Sequence, residues 1–386
     1  MSATDIGVIG AGIVGLSTAF ALLERSATVT VYERGVPGAA QSGGESRIFR
    51  HAHDDPRLVA LAREARAIWR EWEERFGVEL VSRDGAIVIG PAAERRLALL
   101  QKAATIGREA VTGAPGGDAR TIGREAVTGA PGRDERTVGA GVACGAIGAR
   151  MIGAEELAER LPVLGPWDGP AMIDEDAGVI RTRAAVNALV AALGDRIVTD
   201  EVVAVGADCE VRAAGGLRRH DRVVVCAGRE TATLAAGVGL DFPVRLSTHV
   251  RLTFAVRGTP PPRLACLQDS ERGAYGDPLP GNDRYAVGLG DDPAETTAYV
   301  EATLPGLGPQ PVEARNCWVT ELAWSHDGIG VWQADRVLVI AGNNMFKHAP
   351  VLGRSLADAA LGDPLRADLK PAAQLGRAAG TARLAT

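Results

Sequence analysis

The order of hydrophobic and polar residues predicts that the chain begins with a β-strand, an α-helix and a second β-strand. IGVIG is a short apolar strand, IVGLSTAFALLERS carries apolar residues at helical spacing, and TVTVYER is rich in β-branched residues. The stretch from Gly7 to Leu23 is almost entirely apolar, but glycines interrupt it and Asp5 precedes it, so it is not expected to span a membrane. A β-α-β unit of this kind is typical of a parallel sheet.

The remaining pattern predicts that the parallel sheet is assembled from separate segments. Residues 56–76 place apolar side chains at helical intervals among charges, which predicts an amphipathic helix. DRVVVCAG and RVLVIAG predict further buried parallel strands, whereas VRLSTHVRLTFAV and RYAVGLG alternate as antiparallel strands do. We therefore predict an α/β fold, in which a Rossmann-like domain with a parallel sheet receives an inserted domain with an antiparallel sheet. The predicted bounds are 1–84, 151–240 and 322–375 for the first domain, and 85–150 and 241–321 for the second.

A near-repeat interrupts the second domain. The sequence TIGREAVTGAPG occurs twice between Thr105 and Gly132, and glycine-rich sequence follows up to Arg150. Two copies of so polar a unit are too few to build a solenoid, so we predict a surface insertion at 105–149. The tail at 376–386 is predicted to be unstructured.

Composition narrows the classes of partner. The chain has 386 residues, is 46% hydrophobic and carries a formal net charge of -6, so it offers no general attraction for nucleic acid or anionic membranes. Its five cysteines are odd in number, widely spaced and without a CxxC pair, which argues against disulfides and against a metal site. A reducing cytoplasm is the expected location.

The sequence GAGIVG follows the first strand and opens the first helix. Gly10 permits a tight turn, Gly12 lets the backbone approach a pyrophosphate, and Gly15 lets helix and strand pack closely. Glu33, at the end of the next strand, is placed to accept hydrogen bonds from ribose hydroxyls and would repel a 2′-phosphate. The motif predicts a dinucleotide site but does not choose between NAD and FAD.

Positive charge is concentrated at two places. The stretch GGESRIFRHAHDD contains Arg47 and Arg50, which either bind a ligand anion or pair at the surface with nearby acids such as Glu45. Lysine occurs only at positions 102, 347 and 370, so Lys347 stands out. It follows a strand that ends at Gly342, and ligands bind beyond the carboxyl ends of parallel strands.

Taken together, these motifs resemble the FAD-dependent D-amino-acid oxidase superfamily, and within it the monomeric sarcosine oxidase and glycine oxidase group. The resemblance covers nearly the whole chain apart from the repeat, and is carried by GVIGAGIVGLSTAFAL with VYER, SGGESRIFRHA, VVVCAG, NCWV and AGNNMFKHAPVLG. Many flavoproteins share the opening fingerprint, but the combination of arginine block, cysteine and late lysine is more specific. The resemblance implies that the first domain binds FAD and that the second holds the substrate.

The resemblance also implies roles for individual residues. Arg47 matches an arginine that lies against the flavin ring, and Arg50 and Lys347 match the pair that grips the substrate carboxylate. Tyr275 falls on a tyrosine of the substrate pocket. Cys317 matches a cysteine that bonds covalently to the flavin, although an isolated cysteine is more often a buried core residue. The other residues expected to contact FAD are Gly10, Gly12, Ile13, Gly15, Glu33, Arg34, Ser46, Val203, Ala227, Gly228, Gly342 and Met345.

Two positions depart from the group. Gly43 stands where the group has a histidine beside the flavin, and Ala286 stands where it has a lysine that promotes reaction with oxygen. Either another cation such as Arg284 or His249 serves oxygen, or oxygen reacts slowly, or another acceptor takes the electrons. The two small residues also leave room, which favours a substrate bulkier than sarcosine.

The activity that the resemblance implies is oxidation of a C–N bond. A hydride equivalent would pass from the carbon next to an amine nitrogen to the flavin, and the imine would hydrolyse, with hydrogen peroxide formed if oxygen is the acceptor. The substrates that fit are carboxylate-bearing secondary amines, such as N-carboxymethyl amines or cyclic imino acids of specialised metabolism. The alternatives are an FAD-dependent dehydrogenase with another acceptor, an NAD-dependent dehydrogenase and a flavin-binding protein without turnover. A monomer or a small homo-oligomer is expected.

Overall fold

The computed structural model describes residues 3–112 and 147–377. Eight helices lie in this part of the chain. They are α1 (Ile13–Glu24), α2 (Pro56–Phe76), α3 (Ala92–Thr112), α4 (Ala154–Arg160), α5 (Thr182–Leu193), α6 (Thr231–Ala236), α7 (Pro293–Thr303) and α8 (Ala349–Leu361).

Nineteen strands lie in the same described ranges. They are β1 (Asp5–Ile9), β2 (Thr28–Glu33), β3 (Ser46–Phe49), β4 (Ala86–Ile89), β5 (Ala149–Met151), β6 (Ala171–Asp174), β7 (Gly178–Arg181), β8 (Ile197–Thr199), β9 (Val202–Val205), β10 (Glu210–Ala213), β11 (Gly216–Arg219), β12 (Arg222–Val225), β13 (Val244–Val256), β14 (Cys266–Asp269), β15 (Tyr275–Pro278), β16 (Arg284–Gly288), β17 (Leu307–Leu322), β18 (Ile329–Ala334) and β19 (Val337–Gly342).

A six-stranded sheet forms the Rossmann-like part of the molecule. Its strand order is β18-β19-β12-β1-β2-β8, and all neighbours pair in parallel except β18 with β19. The central strands are continuous hydrophobic runs because helices cover the sheet. Helix α1 packs closely on α8, since a Cβ atom at Gly353 would lie 2.6 Å from the backbone carbonyl carbon of Ser17. The four parallel strands expected near residues 6, 29, 223 and 337 are all present in this sheet.

The second large sheet has eight strands in the order β17-β13-β16-β15-β14-β4-β6-β5. Its neighbours are antiparallel apart from β14 and β4. Strand β6 belongs to this sheet although it lies inside 151–240, a segment that we assigned to the FAD-binding domain. The strand is only four residues long and fully buried, so its sequence carries no alternation that would indicate its partner.

Smaller elements connect the two sheets. Strand β3, which carries Arg47, pairs with β7 and not with either large sheet. Helix α2 begins after Asp55, whose side chain accepts a hydrogen bond from the Arg57 backbone N–H, and it ends at Gly77 in the left-handed conformation with φ +65°. The bounds of this helix agree with the sequence prediction.

The predicted insertion and tail lie largely outside the described residues. Helix α3 runs to Thr112 and therefore includes the first eight residues of the repeat, which we had placed in a surface insertion; the rest of the repeat is not described. At the other end, the Gly376 backbone N–H donates to Asp55 at 2.8 Å, and its carbonyl accepts from Ser325 at 2.6 Å. Residues 378–386 of the predicted tail are not described.

Candidate active site

The turn between β1 and α1 can exist only with glycine at two positions. Gly10 has φ +97°, and a Cβ atom there would lie 2.6 Å from the Cys226 carbonyl oxygen. A Cβ atom at Gly15 would lie 1.9 Å from the Gly10 carbonyl oxygen, so the first turn of the helix presses directly on the glycine loop. The sequence prediction of a tight turn and close helix packing is therefore seen in the geometry.

The end of this turn is arranged for a dinucleotide. Gly12 is the N-cap of α1 and provides no side chain to cap the helix, which leaves the positive end of the helix for phosphate oxygens. Glu33 ends β2, and its carboxylate accepts hydrogen bonds from the backbone N–H groups of Ala11 at 2.9 Å and Gly35 at 3.0 Å. Ile13 donates its N–H to Ser42 Oγ at 2.9 Å. The residues present fit the pyrophosphate and ribose of FAD.

Other residues expected at the cofactor follow the strands of the same sheet. Ala227 and Gly228 follow β12 after Cys226, and Gly342 ends β19, so they lie at the carboxyl edge where β1 meets its glycine turn. Met345 lies in the 3₁₀ turn Met345–His348 that follows β19. Arg34, just beyond Glu33, forms exposed ion pairs instead, with Glu201 at 3.4 Å and Glu230 at 3.5 Å.

Val203 was expected to contact FAD, but the position of its side chain does not indicate a role in cofactor binding. It lies on β9 at the edge of the three-stranded sheet β11-β10-β9, and its side chain is 59% exposed. A contact between its backbone and the adenine therefore stays a prediction.

One face of the eight-stranded sheet gathers the residues expected near the flavin ring. Cys317 on β17 lies opposite His249 on β13, because the two long strands pair along most of their length. Residues two apart on a strand point to the same face, so Arg251 shares this face with His249. Tyr275 on β15 joins them through a hydrogen bond between its hydroxyl and His249 Nε2 at 2.8 Å.

The charges on this sheet face are set by burial and by neighbouring arginines. Burial, Arg47 and Arg251 lower the pKa of His249 to about 4, so its imidazole is neutral at physiological pH. Burial raises the pKa of Tyr275 to about 12, and its hydroxyl keeps its proton. The Tyr275–His249 pair is thus a neutral hydrogen-bonded unit beside Cys317.

Arg47 leans against the backbone of its own loop. Its guanidinium donates to the carbonyl oxygens of Ser46 at 2.8 Å and Gly43 at 2.6 Å. Burial and the neighbouring Arg251 lower its pKa to about 10, so it remains charged. In the described part of the chain, the nearby acids pair with other arginines: Glu45 with Arg284 at 3.2 Å, Asp54 with Arg96 at 3.2 Å and Asp55 with Arg57 at 2.7 Å. The alternative of a simple surface ion pair is not what the structure shows for Arg47.

Arg50 and Lys347 come together from positions almost 300 residues apart. Burial and the nearby charge of Arg50 lower the pKa of Lys347 to about 7, and burial lowers the pKa of Arg50 to about 10. The Lys347 ammonium, on a residue that is 5% exposed, donates to the Asn344 carbonyl at 3.2 Å. The Lys347 carbonyl accepts from Trp69 at 2.9 Å, which fixes the turn on helix α2.

An acid that sequence reasoning missed lies with these two cations. Asp327 Oδ2 is 3.7 Å from Arg50 Nη2 and 3.7 Å from His53 Nδ1, and its other oxygen accepts from Asn344. Although burial opposes ionisation, the contacts with His53 and Arg50 hold the pKa of Asp327 well below its usual range. Burial and Arg50 lower the pKa of His53 to about 3, so that imidazole is neutral. Below about pH 7, where Lys347 is protonated, two cations therefore face one anion, which leaves a net positive charge for a ligand.

Arg251 and Asp277 form a second buried pair that the sequence did not indicate. Arg251 Nη2 lies 2.5 Å from Asp277 Oδ1, and the same guanidinium donates to the carbonyl and hydroxyl of Ser46 at 2.9 and 3.0 Å. Ser46, which was expected to contact FAD, lies on β3. Its two hydrogen bonds with Arg251 help to fix the position of that strand. The spacing of the two partners in the sequence, 26 residues, gives no signal of their contact.

The room expected at Gly43 is not empty. A Cβ atom at Gly43 would lie 2.4 Å from Nη2 of Arg315, whose guanidinium occupies the space of a larger side chain. Arg315, on β17, therefore fills the space beside Gly43, and the expectation of a substrate bulkier than sarcosine stays a prediction. Ala286 does line a pocket, but the pocket measures only about 40 Å³ and also includes Arg251 and Arg315.

A glycine-rich turn at the carboxyl edge of a parallel sheet is typical of enzymes that bind a dinucleotide cofactor. Comparison with known proteins makes this specific. The DAO family, described as FAD dependent oxidoreductase, matches residues 5–359, and the chain belongs to this family. It is an oxidoreductase and its cofactor is FAD, so the alternative of an NAD-dependent dehydrogenase is excluded.

Relatives and solved structures cover almost the whole chain. The chain is 23% identical over 407 residues to peroxisomal sarcosine oxidase from Mus musculus, with 95% of this chain and 94% of the relative covered. The fold is similar to L-proline dehydrogenase from P. horikoshii, with TM-score 0.73, 17% identity and coverage of 96% of this chain and 97% of that one. It is also similar to iminodiacetate oxidase from Chelativorans sp. BNC1, with TM-score 0.70, 19% identity and coverage of 95% and 98%. These similarities confirm the predicted fold class and the resemblance to the sarcosine and glycine oxidase group.

Within residues 3–112 and 147–377, no helix combines the length and the hydrophobicity needed to cross a membrane. In the same ranges, no group of three or more His, Cys, Asp or Glu side chains is arranged to hold a metal ion.

Proposed function

We propose that this protein oxidises the C–N bond of a small amine that carries a carboxylate. The observation that carries the proposal is the buried pair of Arg50 and Lys347, held beside Asp327 at the end of β19. A carboxylate replaces water most favourably where two cations converge in a low dielectric, and arginine can hold it with two parallel hydrogen bonds. Family relatives described as sarcosine, glycine and iminodiacetate oxidases support this substrate class.

Each residue of the site has a distinct role in the proposal. FAD, when bound, accepts the hydride equivalent from the carbon next to the amine nitrogen. Arg50 and Lys347 orient the substrate through its carboxylate, and Arg47 supplies positive charge near the isoalloxazine ring. Tyr275, fixed by His249, offers a hydroxyl to the amine end of the substrate. None of these side chains needs to act as a strong base, because the form that reacts is the neutral amine, which has already released its proton to water.

The test is anaerobic reduction of the FAD by candidate amines. Purified protein is mixed without oxygen with N-carboxymethyl amines of increasing size, with cyclic imino acids and with matched amines that lack the carboxylate. We expect loss of the yellow colour only with the carboxylate-bearing amines. Bleaching by the amines without a carboxylate at equal rates would contradict the role of Arg50 and Lys347. Bleaching by no amine at all would favour a flavin-binding protein without turnover.

We further propose that Cys317 bonds covalently to FAD. The residue is partly exposed on the sheet face that carries Tyr275 and His249, whereas Cys226 and Cys266 are buried. Acid precipitation of the wild-type protein should leave the yellow colour in the pellet, and Cys317→Ser should release all of it to the supernatant. The matched variant Cys266→Ala should keep it in the pellet. Release of FAD from the wild-type protein would mean that Cys317 is only a structural residue.

Carboxylate binding should weaken as the pH rises. The folded pKa of Lys347 is about 7, below the usual value for lysine, so its positive charge is present below that pH and is lost above it. We expect the Kd for acetate, followed by the change in FAD absorbance, to rise roughly 3- to 10-fold between pH 6.5 and 8.5. Lys347→Arg keeps its charge over this range and should flatten the dependence. An identical pH dependence in the two proteins would contradict the assignment.

A further inference from the structure

The loop that carries Asp327 is held in place by a segment near the C-terminus. This loop, residues 323–328, connects β17 to β18, and we call it the Asp327 loop. Residues 373–377, which we call the tail segment, lie beyond the stretch 5–359 that matches the family. Leu375 at the centre of the tail segment is 0% exposed, so the segment is anchored in the core.

A chain of hydrogen bonds joins the tail segment to the Asp327 loop. The Leu375 carbonyl accepts from the indole N–H of Trp324 at 2.9 Å, and the Gly376 carbonyl accepts from the Ser325 hydroxyl at 2.6 Å. The Ser325 oxygen in turn accepts from the backbone N–H of Asp327 at 3.2 Å. The backbone of Asp327 is therefore tied to the tail segment through a single hydroxyl.

Glycine in the tail segment lets two backbones lie in direct contact. Gly376 has φ +95°, and a Cβ atom there would lie 2.4 Å from the Asp327 carbonyl oxygen. A Cβ atom at Gly342, the last residue of β19, would lie 2.4 Å from the Gly328 carbonyl oxygen. The Asp327–Gly328 backbone thus packs against both the tail segment and β19, and a shift of this backbone requires the tail segment to yield.

The tail segment also holds the stretch that follows Arg50. The Gly376 backbone N–H donates to Asp55 at 2.8 Å, and the Arg57 guanidinium donates to the Gln374 carbonyl at 3.1 Å. Asp55 and Arg57 pair with each other at 2.7 Å where helix α2 begins. One short segment therefore ties down both parts of the chain whose charges meet at the proposed carboxylate site.

The distance between Arg50 and Asp327 depends on this arrangement. Nη2 of Arg50 and Oδ2 of Asp327 are 3.7 Å apart, whereas a direct charge-assisted hydrogen bond measures about 2.7–2.9 Å. The two side chains are only 12% and 27% exposed, so little water would screen a closer pair. At the shorter distance, Asp327 would occupy the guanidinium that the proposed function assigns to the substrate carboxylate.

We propose that the tail segment is a positioning clamp, which keeps Asp327 from closing on Arg50 and so leaves the guanidinium available to the substrate. The inference rests on the proposed function and adds what positions its carboxylate site. The clamp acts through Asp327 and contributes no group to the reaction. When it is loosened, the Asp327 carboxylate competes with the substrate carboxylate for one guanidinium, so affinity falls while the rate at saturating substrate changes little.

Binding of acetate to the FAD-loaded protein, followed by the change in FAD absorbance below pH 7, tests the clamp. Gly376→Ala places a methyl group against the Asp327 carbonyl, and Ser325→Ala removes the hydroxyl that joins the two segments. We expect each change to raise the Kd for acetate about 10-fold. Ser325→Thr keeps a hydroxyl and should restore most of the affinity. With an amine substrate, KM should rise by the same factor while kcat changes less than about twofold.

The variant Asp327→Asn separates competition by this carboxylate from general damage to the site. Its amide carries no charge that could compete for Arg50. In this background, Gly376→Ala should therefore change the Kd for acetate less than about twofold. An equal effect of Gly376→Ala in the two backgrounds would overturn the proposal.

Gly362→Ala is the matched control for the substitution in the tail segment. Gly362, which follows α8, also has a positive φ of +110°, but the nearest atom to an added Cβ is Nη2 of Arg222 at 3.9 Å. Its Kd for acetate should equal that of the wild type even if its Tm falls.

The remaining outcomes distinguish the clamp from the proposed function. A lower Tm for Gly376→Ala with the wild-type Kd for acetate would show that the tail segment only stabilises the fold, and would overturn the clamp while the proposed function stands. A wild-type protein that neither binds acetate nor is bleached by any amine would refute the proposed function, and the clamp with it.

Discussion

Replacing Arg50 by methionine is expected to lower kcat/KM for a carboxylate-bearing amine by about 10³-fold. Removal of one partner from a buried set of charges costs about 3–5 kcal/mol, and each 1.4 kcal/mol is a factor of ten. Two losses combine in this site. The substrate carboxylate loses its guanidinium, and Asp327 loses a counter-charge 3.7 Å away. Steady-state kinetics with the best amine found by anaerobic bleaching measures the effect.

The control for this prediction is chosen to separate charge recognition from damage to the fold. Arg95 pairs with Asp54 at 3.0 Å on the surface, with a side chain that is 58% exposed, and Arg95→Gln should change kcat/KM less than about twofold. The Arg50→Met protein should retain its FAD, since the polar partners of Arg50 in the described residues are the Ala52 carbonyl and Asp327, and neither belongs to the glycine turn. An equal slowing for amines with and without a carboxylate would show that Arg50 serves catalysis in some other way.

The local features of the fold could be predicted from the sequence because short-range physics determines them. The glycine turn with Glu33, the amphipathic helix at 56–76 and the buried parallel strands are all encoded by spacing within about 30 residues. Arg50 and Lys347 are almost 300 residues apart, and they were placed together only by the resemblance to the family; local spacing indicated no more than that Lys347 follows a strand of the parallel sheet. Their proximity is present in the structure, although their roles remain predictions.

The features that sequence reasoning missed all depend on the register between distant strands. Asp327 meets Arg50, and Asp277 meets Arg251, only after β15, β16 and β18 have taken their places. The filling of the space beside Gly43 depends on the same register, since Arg315 comes from a strand some 270 residues away. A glycine or alanine indicates free volume only when the side chains that pack against it are known.

Gly15→Ala is expected to abolish FAD binding. The added Cβ atom would lie 1.9 Å from the Gly10 carbonyl oxygen, and both the oxygen and the Cβ are attached to backbone, so no side-chain rotation relieves the contact. Either the N-terminus of α1 or the glycine turn must move away, and each of them would hold the pyrophosphate. Overpacking of this kind typically costs about 1–3 kcal/mol, which should lower Tm by several degrees in addition.

Gly153→Ala is the matched control for this substitution. Gly153 is likewise a glycine at the N-terminal end of a helix, where it is the N-cap of α4, but it has φ −87° and no atom within 4 Å of an added Cβ. The same methyl group should therefore leave the FAD content, measured from the ratio of absorbance at 450 and 280 nm, unchanged. If Gly15→Ala retained FAD at the level of Gly153→Ala, the helix could shift without loss of the site. The close contact between α1 and the glycine turn would then not be what makes the dinucleotide site.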